Sequence, residues 1–182
     1  MQSDDCPAFG TPRLVVQNNR GQPIRTLRYN RASVDDNLDE RIERTVVGPL
    51  GFATSRVDAR LFTSGGTPNF RYAVSLSGRV LRTAGVDAGT TVALADVDGR
   101  PRWARDARGT VSAWTYDPLG RPLTATDTPA GGAPAVRDVW RYGDAEPGAA
   151  AHNRRGRCVR RYDPAGRLAW PGFALTGQPL AE

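Results

Sequence analysis

The side chains that most often carry enzyme chemistry are few in this 182-residue chain. There is one histidine, His152, in a Gly/Ala-rich stretch, and there are two cysteines, Cys6 and Cys158, far apart in the sequence. A nucleophile needs a base beside it, and a structural zinc site needs four closely spaced sulfur or nitrogen ligands. The sequence shows neither pattern, and it shows no phosphate-binding glycine loop. It therefore predicts no catalytic residue, no metal site, no cofactor and no enzymatic activity.

The same residues have structural interpretations. We expect His152 to be a solvated loop residue. We expect Cys6 and Cys158 to be free thiols, since a disulfide between them would form only if folding brought them together.

Aspartate recurs instead in a fixed relation to glycine, with two variable residues between them. An Asp, Asn or Ser at the first position of a type I turn can bond to the backbone just ahead. A glycine at the fourth position accepts the left-handed conformation that closes a hairpin through a bulge. The sequence therefore predicts a structural turn residue, not a catalytic one, at each aspartate and glycine of this set: Asp96, Gly99, Asp106, Gly109, Asp117, Gly120, Asp163 and Gly166.

Further instances of the pattern extend along the chain. Each is predicted to be the tip of a hairpin, and the last is the weakest match: Asn18–Gly21, Gly48–Gly51, Ser75–Gly78, Asn153–Gly156 and Ala174–Gly177.

The spacing of the glycines predicts the elements between the tips. Gly78, Gly99 and Gly120 are each 21 residues apart, and Gly109 lies between the last two. Such steps leave about six residues between tips, a normal length for a strand and too short for a helix. The intervening segments are rich in β-branched and aromatic residues, as in Val111–Tyr116. We predict an all-β meander of antiparallel hairpins.

The regularity of the chain divides it into two parts of one continuous domain. Residues 1–70 are predicted to be a less regular β segment, and residues 71–182 to contain the repeats proper. Within the first part, the polar stretch Ala32–Arg44 is expected to be a loop or a single helical turn. Within the second, Thr128–Pro134 and Asp144–Ala151 are expected to be surface loops.

Composition points to a chain that completes its core against something else. Leu, Ile, Val and Phe make up about a fifth of the residues, near the level at which a chain struggles to form its own core. All 25 basic residues are arginine and the net charge is +6. Nucleic acid binding is disfavoured, because no aromatic platform accompanies the one dense basic cluster, at residues 154–161. The first ten residues do not resemble a secretory signal, and no apolar run is long enough to cross a membrane.

Two segments carry a recognisable motif. Tyr116–Leu123 and Tyr162–Leu168 resemble the YD motif of RHS/YD-repeat proteins. Four further blocks are similar, in the same order, to the N-terminal region of the C components of insecticidal toxin complexes (Tc toxins): Thr11–Gly21, Asp58–Phe62, Pro68–Phe70 and Val86–Leu94.

The resemblance implies a fold and a role. In that family, the repeats of the C component join those of the B component in a closed, hollow shell of spiralling β-sheet. The shell holds the effector unfolded, and a pore-forming A component delivers it. We therefore expect this chain to be a curved, open segment of a larger β-shell that pairs with a B component and, through it, with the A component. It would be secreted with the complex without a recognisable signal peptide, after a cytoplasmic stage.

One part of the family pattern is not matched. The sequence contains neither a recognisable aspartate-dependent self-cleavage motif nor an effector, so no catalytic residue of the family carries over. The alternative hypothesis is a secreted or cell-surface YD-repeat module that contacts carbohydrate or a receptor through exposed Trp and Tyr residues. A toxin B-component gene beside this one would favour the shell.

Overall fold

The computed structural model describes residues 8–180, and in that range the protein is almost entirely β-sheet. Its 13 strands follow one another through one sheet in the order of the sequence, and neighbouring strands pair antiparallel. This confirms the predicted all-β meander and its open sheet. The strands are β1 (Leu14–Gln17), β2 (Pro23–Asn30), β3 (Asp39–Val47), β4 (Ala53–Val57), β5 (Phe70–Val74), β6 (Val80–Gly85), β7 (Gly89–Ala95), β8 (Pro101–Arg105), β9 (Val111–Tyr116), β10 (Pro122–Thr128), β11 (Ala135–Tyr142), β12 (Cys158–Asp163) and β13 (Gly166–Ala169).

The chain divides into two compact units, and the division falls inside β7, between Val92 and Ala93. Unit 1 contains β1 to β6 and unit 2 contains β8 to β13. The sequence-based division near residue 70 rests on regularity of the repeats and stays a prediction.

Unit 1 contains the single α-helix of the described chain, α1 (Ala59–Thr63), between β4 and β5. Its start is set by Asp58, whose carboxylate accepts a hydrogen bond from the Leu61 backbone N–H at 2.9 Å. This is the usual N-cap interaction of a helix. Five residues form little more than one turn, so the helix depends on its contact with β3.

The prediction for Ala32–Arg44 was wrong over its second half, because Asp39–Arg44 belongs to β3. Charged residues are tolerated in this strand because they face solvent and pair with the neighbouring strand. Tyr29 on β2 donates its hydroxyl hydrogen to Glu40 at 3.1 Å. The alternation that would reveal a half-buried strand is weak there, since most of β3 is exposed or half-exposed.

The hydrophobic core is thin. Among the described residues, five apolar side chains are buried: Val57, Ala125, Ala149, Val159 and Phe173. By contrast, all four residues of β1 are exposed, including Leu14, Val15 and Val16. Each strand therefore depends more on its neighbours in the sheet than on a second packed layer.

None of the helices within residues 8–180 has the length and apolar character that a membrane crossing requires.

Phe173 is the largest buried side chain, at 7% exposure, and Arg157 stacks over its ring at 5.2 Å. We expect Phe173→Ala to lower the free energy of unfolding by about 3 kcal/mol, since it removes buried apolar surface and leaves a cavity. Leu175→Ala is the matched control, because Leu175 is 90% exposed and two residues away. Urea denaturation of both variants measures the difference, and equal losses would contradict this account of the core.

Candidate functional site

Each unit has a row of hairpin tips along one edge of its strands. In a sequential antiparallel sheet, connections alternate between the two edges, so those from odd-numbered to even-numbered strands share an edge within each unit. We call this edge the tip rim. Its tips in unit 1 are Asn18–Gly21, Gly48–Gly51 and Ser75–Gly78, and those in unit 2 include Asp96–Gly99, Asp117–Gly120 and Ala174–Gly177.

The tip at Asp117 shows the common geometry. The Gly120 N–H donates to the Asp117 carbonyl at 2.9 Å, and the Asp117 N–H donates to the Arg121 carbonyl at 3.0 Å. Gly120 has a φ of +79°, as a left-handed closing residue requires. One carboxylate oxygen of Asp117, Oδ1, accepts from the Leu119 and Arg121 N–H groups at 3.0 and 2.9 Å. The side chain therefore satisfies backbone donors inside the turn.

The other predicted turn residues fall into two groups. Asp96 with Gly99, and Asp106 with Gly109, have the same two backbone bonds, although the Asp106 tip lies on the opposite edge. Asp163 and Gly166 differ because they pair directly as strand residues. Only Pro164 and Ala165 form that loop, so no bulge residue is present.

The tip predicted at Asn153 is displaced by one residue. Its turn bond runs from the Arg157 N–H to the Arg154 carbonyl at 3.0 Å. Asn153 itself has a φ of +50°. It lies in the long connection between β11 and β12, which includes a short 3₁₀ helix, Gly143–Ala145.

The residue immediately after the turn glycine completes the geometry, and we call it the fifth residue of the tip. Arg121 donates through Nε to the second carboxylate oxygen of Asp117 at 2.7 Å, and Arg100 does the same to Asp96 at 2.7 Å. Loss of solvent would raise the pKa of the Asp117 carboxyl, but the bonds from the Arg121 backbone and guanidinium outweigh it. The pKa therefore lies below its usual value.

The fifth residue also reaches the glycine of the next tip on the rim, since Gln22 donates through Nε2 to the Gly51 carbonyl at 2.6 Å. Arg157 makes the same contact from the displaced turn, where it is the fourth residue but still follows a glycine, and it donates through Nη1 to the Gly177 carbonyl at 3.2 Å. We call the space beside a tip glycine, together with its carbonyl oxygen, the glycine seat.

Two further seats are filled without that hydrogen bond. The ring of Phe52 lies against Gly78, and a Cβ added to Gly78 would stand only 2.7 Å from the ring carbon Cε1. The guanidinium of Arg100 lies in the same way beside Gly120, and a Cβ there would overlap it. Glycine is therefore required twice at these tips, once for its φ and once for the side chain that lies against it.

Arg121 contacts the next connection differently. It donates to Asp144 at 2.7 Å and lies over the Tyr142 ring at 4.2 Å. Asp144 in turn accepts from the Gly156 N–H at 2.9 Å. An ion pair and an aromatic ring thus replace the glycine seat where the connection is long.

Aromatic rings on the strands are covered by arginine side chains. Tyr116 lies beneath the guanidinium groups of Arg100 and Arg102, at 5.3 and 5.6 Å from its ring centre. Arg161 lies at 5.7 Å from the Trp140 ring. Such contacts shield aromatic surface while the charge stays partly solvated.

A second cluster crosses unit 2 through a β-bulge. Ala125 pairs with Asp138 and Thr126 pairs with Val136, so Arg137 is the extra residue of β11. The bulge lets adjacent side chains meet, and Arg137 donates to Asp138 at 2.8 Å.

The cluster extends to the strands on either side. Arg137 bridges to Asp127 on β10 at 3.0 Å, and Arg161 on β12 bridges to Asp138 at 2.8 Å. Asp138 is only 5% exposed. The hydrogen bond from Arg137, followed by that from Arg161, holds the pKa of its carboxyl below the usual value against the opposing effect of burial.

The dense basic cluster of the sequence is largely occupied within the fold. Arg154 and Arg160 both pair with Glu146, Arg157 binds the Gly177 carbonyl, and Arg161 binds Asp138. Arginines held in this way present less free charge to a phosphate backbone than their sequence suggests.

The other residues singled out in the sequence carry no assembled chemistry. Cys158 is a free thiol whose pKa is raised by burial, and Cys6 lies outside the described residues. His152 is exposed. Across residues 8–180, no group of three or more His, Cys, Asp or Glu side chains is placed to hold a metal ion.

The fifth residue of the tips was not predicted from the sequence. The signal was available, because Arg or Gln directly follows the turn glycine at Gln22, Arg79, Arg100, Arg121, Arg157, Arg167 and Gln178. Turn chemistry explains the glycine alone, whereas the neighbour that fills its seat is visible only in three dimensions.

Comparisons with known proteins agree with this architecture. Residues 95–133 match the family model of the RHS repeat, and this range includes the tips at Asp96, Asp106 and Asp117. Toxin subunit YenC1 of Yersinia entomophaga is 34% identical over 189 aligned residues, which cover 99% of this chain and 19% of the relative. Toxin subunit YenC2 of the same organism is 32% identical, with 94% of this chain and 19% of the relative covered. The chain therefore contains an RHS repeat, at residues 95–133, and it resembles these toxin subunits along nearly its whole length.

Solved structures give a similar result. The crystal structure of TcdB2-TccC3 matches 93% of it with a TM-score of 0.88 and 30% identity, over 9% of that larger chain. The Photorhabdus luminescens Tc holotoxin pore matches 96% of it with a TM-score of 0.89 and 30% identity, over 8% of that chain. The chain thus spans about a fifth of the length of the curated toxin subunits, and it matches them and these structures along nearly its whole length.

The double role of glycine at a filled seat can be measured. We expect Gly120→Ala to lower the free energy of unfolding by about 1–2 kcal/mol more than Gly131→Ala, because the methyl group displaces Arg100 as well as straining the backbone. Gly131 is the matched control, with a φ of +71° and no heavy atom within 4 Å of a Cβ. Adding Arg100→Ala should remove the excess in a double-mutant cycle, and an unchanged excess would rule out the contact as its cause.

The bulge cluster makes stability depend on pH in a defined direction. At pH 7, Asp138→Asn should lower the free energy of unfolding by about 1–3 kcal/mol, with partial screening because both arginines are partly exposed. A carboxyl group whose pKa is lowered by folding stabilises the folded state at pH values above its pKa in the unfolded chain, about 3.9. This stabilisation is lost as the pH falls through the pKa that the group has in the folded state. The difference from wild type should therefore shrink below about pH 4 in urea titrations. Asp35→Asn, in an exposed loop, is the control and should change the free energy of unfolding at pH 7 by less than about 0.5 kcal/mol.

Proposed function

We propose that this chain is a structural segment of the shell of a Tc toxin, which joins an RHS-repeat B component to enclose a toxic effector. The observation that carries the proposal is the open, sequential sheet, whose 13 strands leave β1 and β13 at its two ends. The toxin subunits YenC1 and YenC2 match nearly all of this chain, which supports its assignment to the shell of a Tc toxin.

At one end of the sheet, the edge strand β1 exposes apolar side chains that a partner strand would cover. Leu14, Val15 and Val16 are each more than 40% exposed. An exposed apolar edge strand pairs readily with other chains unless something covers it. An incoming strand would satisfy the backbone of β1 and cover its apolar side chains together.

The turn aspartates have structural roles in this proposal. Asp96, Asp106, Asp117 and Asp163 each accept backbone hydrogen bonds within their own turns. In two of them the second oxygen also binds an arginine. Such carboxylates hold a hairpin closed, and their matching glycines, Gly99, Gly109, Gly120 and Gly166, let the chain turn back.

The wider assembly follows from the same proposal. Through the B component, this chain would be connected to the A component that delivers the effector. The complex would act outside the cell that makes it, after assembly in the cytoplasm. The chain would contribute wall and contact surface, and no enzymatic step.

Co-expression with the B component of the same organism tests the proposal. We expect the untagged chain to co-purify with a tagged B component at a 1:1 ratio, because pairing covers the β1 edge. The chain alone should elute as oligomers or aggregate during size-exclusion chromatography. A clean, stable monomer that the B component does not retain would overturn the proposal.

A further inference from the structure

The filled seats along the tip rim all receive their side chain from the preceding tip. In each case the fifth residue of one tip lies against the glycine of the following tip: Gln22 at Gly51, Phe52 at Gly78 and Arg100 at Gly120. The fifth residue directly precedes the second strand of its hairpin, which is the strand that neighbours the next hairpin. A seat is therefore filled from the preceding side of the sheet.

The first seat of the rim, at Gly21, is open. The turn has the usual geometry, since the Gly21 N–H donates to the Asn18 carbonyl at 3.0 Å and the Asn18 N–H donates to the Gln22 carbonyl at 2.9 Å. The φ of Gly21 is +73°, yet a Cβ there would find no heavy atom of the described chain within 4 Å. By the direction of the other seats, its occupant would come from a hairpin that precedes β1.

The strand beside this seat, β1, has an exposed edge that a hairpin preceding it could pair with. β1 ends the strand order, and its four residues are exposed. The described residues before β1 do not fill the seat; the Phe9 carbonyl accepts from Arg31, in the connection on the opposite edge of the sheet, at 2.6 Å. The open seat and the open strand edge therefore adjoin.

We propose that the seat at Gly21 receives the fifth residue of a hairpin from the partner chain, whose second strand pairs antiparallel with the outer edge of β1. The inference rests on the proposed function and specifies how the partner is recognised. The filled seats define the chemistry of that residue as a long side chain, Gln, Arg or Phe, placed directly after a turn glycine. A Gln or Arg there would also donate to the Gly21 carbonyl, as Gln22 does to Gly51.

This contact would set the register of the junction. Backbone pairing along β1 alone allows an incoming strand to slip by two residues without changing which side chains face each side of the sheet. A side chain held against Gly21 aligns the partner's tip with the tip rim. The seat therefore selects a partner with the same repeat geometry over an arbitrary exposed strand.

Gly21→Asn tests the seat without refolding the turn, because asparagine tolerates a positive φ and its side chain would occupy the space. Gly156→Asn is the matched control, since Gly156 also has a φ of +73° and open space around a Cβ. We expect Gly21→Asn to weaken binding of the same organism's B component at least tenfold, and Gly156→Asn to change it less than twofold. Circular dichroism and thermal melts should match for the two variants.

The outcomes separate the two proposals. If the wild-type chain binds the B component and Gly21→Asn binds equally well, the seat is not used and the shell proposal stands. If the wild-type chain does not bind, both proposals fall. Hydrogen exchange gives a second measurement: amides of Leu14–Gln17 and Gly21 should become protected in the wild-type complex, and protection that excludes these residues would overturn the inference.

Discussion

The architecture depends on one local constraint, which is a tight turn that closes only when its fourth residue takes the left-handed conformation. At such a tip an aspartate satisfies the turn's own N–H groups, and a glycine reverses the chain without steric cost. Because the reversal is local, each strand pairs with the strand that precedes it in the sequence. A sheet in sequence order results, and its stability is distributed over many near-neighbour contacts instead of one deep core.

The contacts between successive tips add the next level of organisation. Arg100 binds the carboxylates of its own turn, covers Tyr116 and lies beside Gly120 of the following turn. One side chain therefore connects the closure of one hairpin to the placement of the next. The low aliphatic content of the chain is compatible with an ordered sheet because arginine stems and aromatic rings replace part of the apolar packing.

Much of this fold could be predicted from the sequence, for a physical reason. Turns at Asp96, Asp106 and Asp117 are encoded by four adjacent residues, so local chemistry determines them. The strand β3 was missed because its charged residues face solvent and carry no clear alternation. The displacement of the turn at Asn153 and the direct pairing of Asp163 with Gly166 were missed because neighbouring strands decide them. The filled seats and the bulge at Arg137 depend on which strands become adjacent, and no local pattern carries that information.

The one-directional filling of the seats also bears on how such chains change in length over evolution. In the described residues of each unit, a filled seat joins a tip to its immediate successor. The duplication or loss of a whole two-strand hairpin, about 21 residues, would therefore leave the remaining contacts of this kind intact. The insertion of a single strand would instead send the following tip to the opposite edge and leave one side chain without its glycine. Genes for these proteins should therefore grow and shrink in hairpin-sized steps, and families built on this plan can vary widely in length while keeping the same wall.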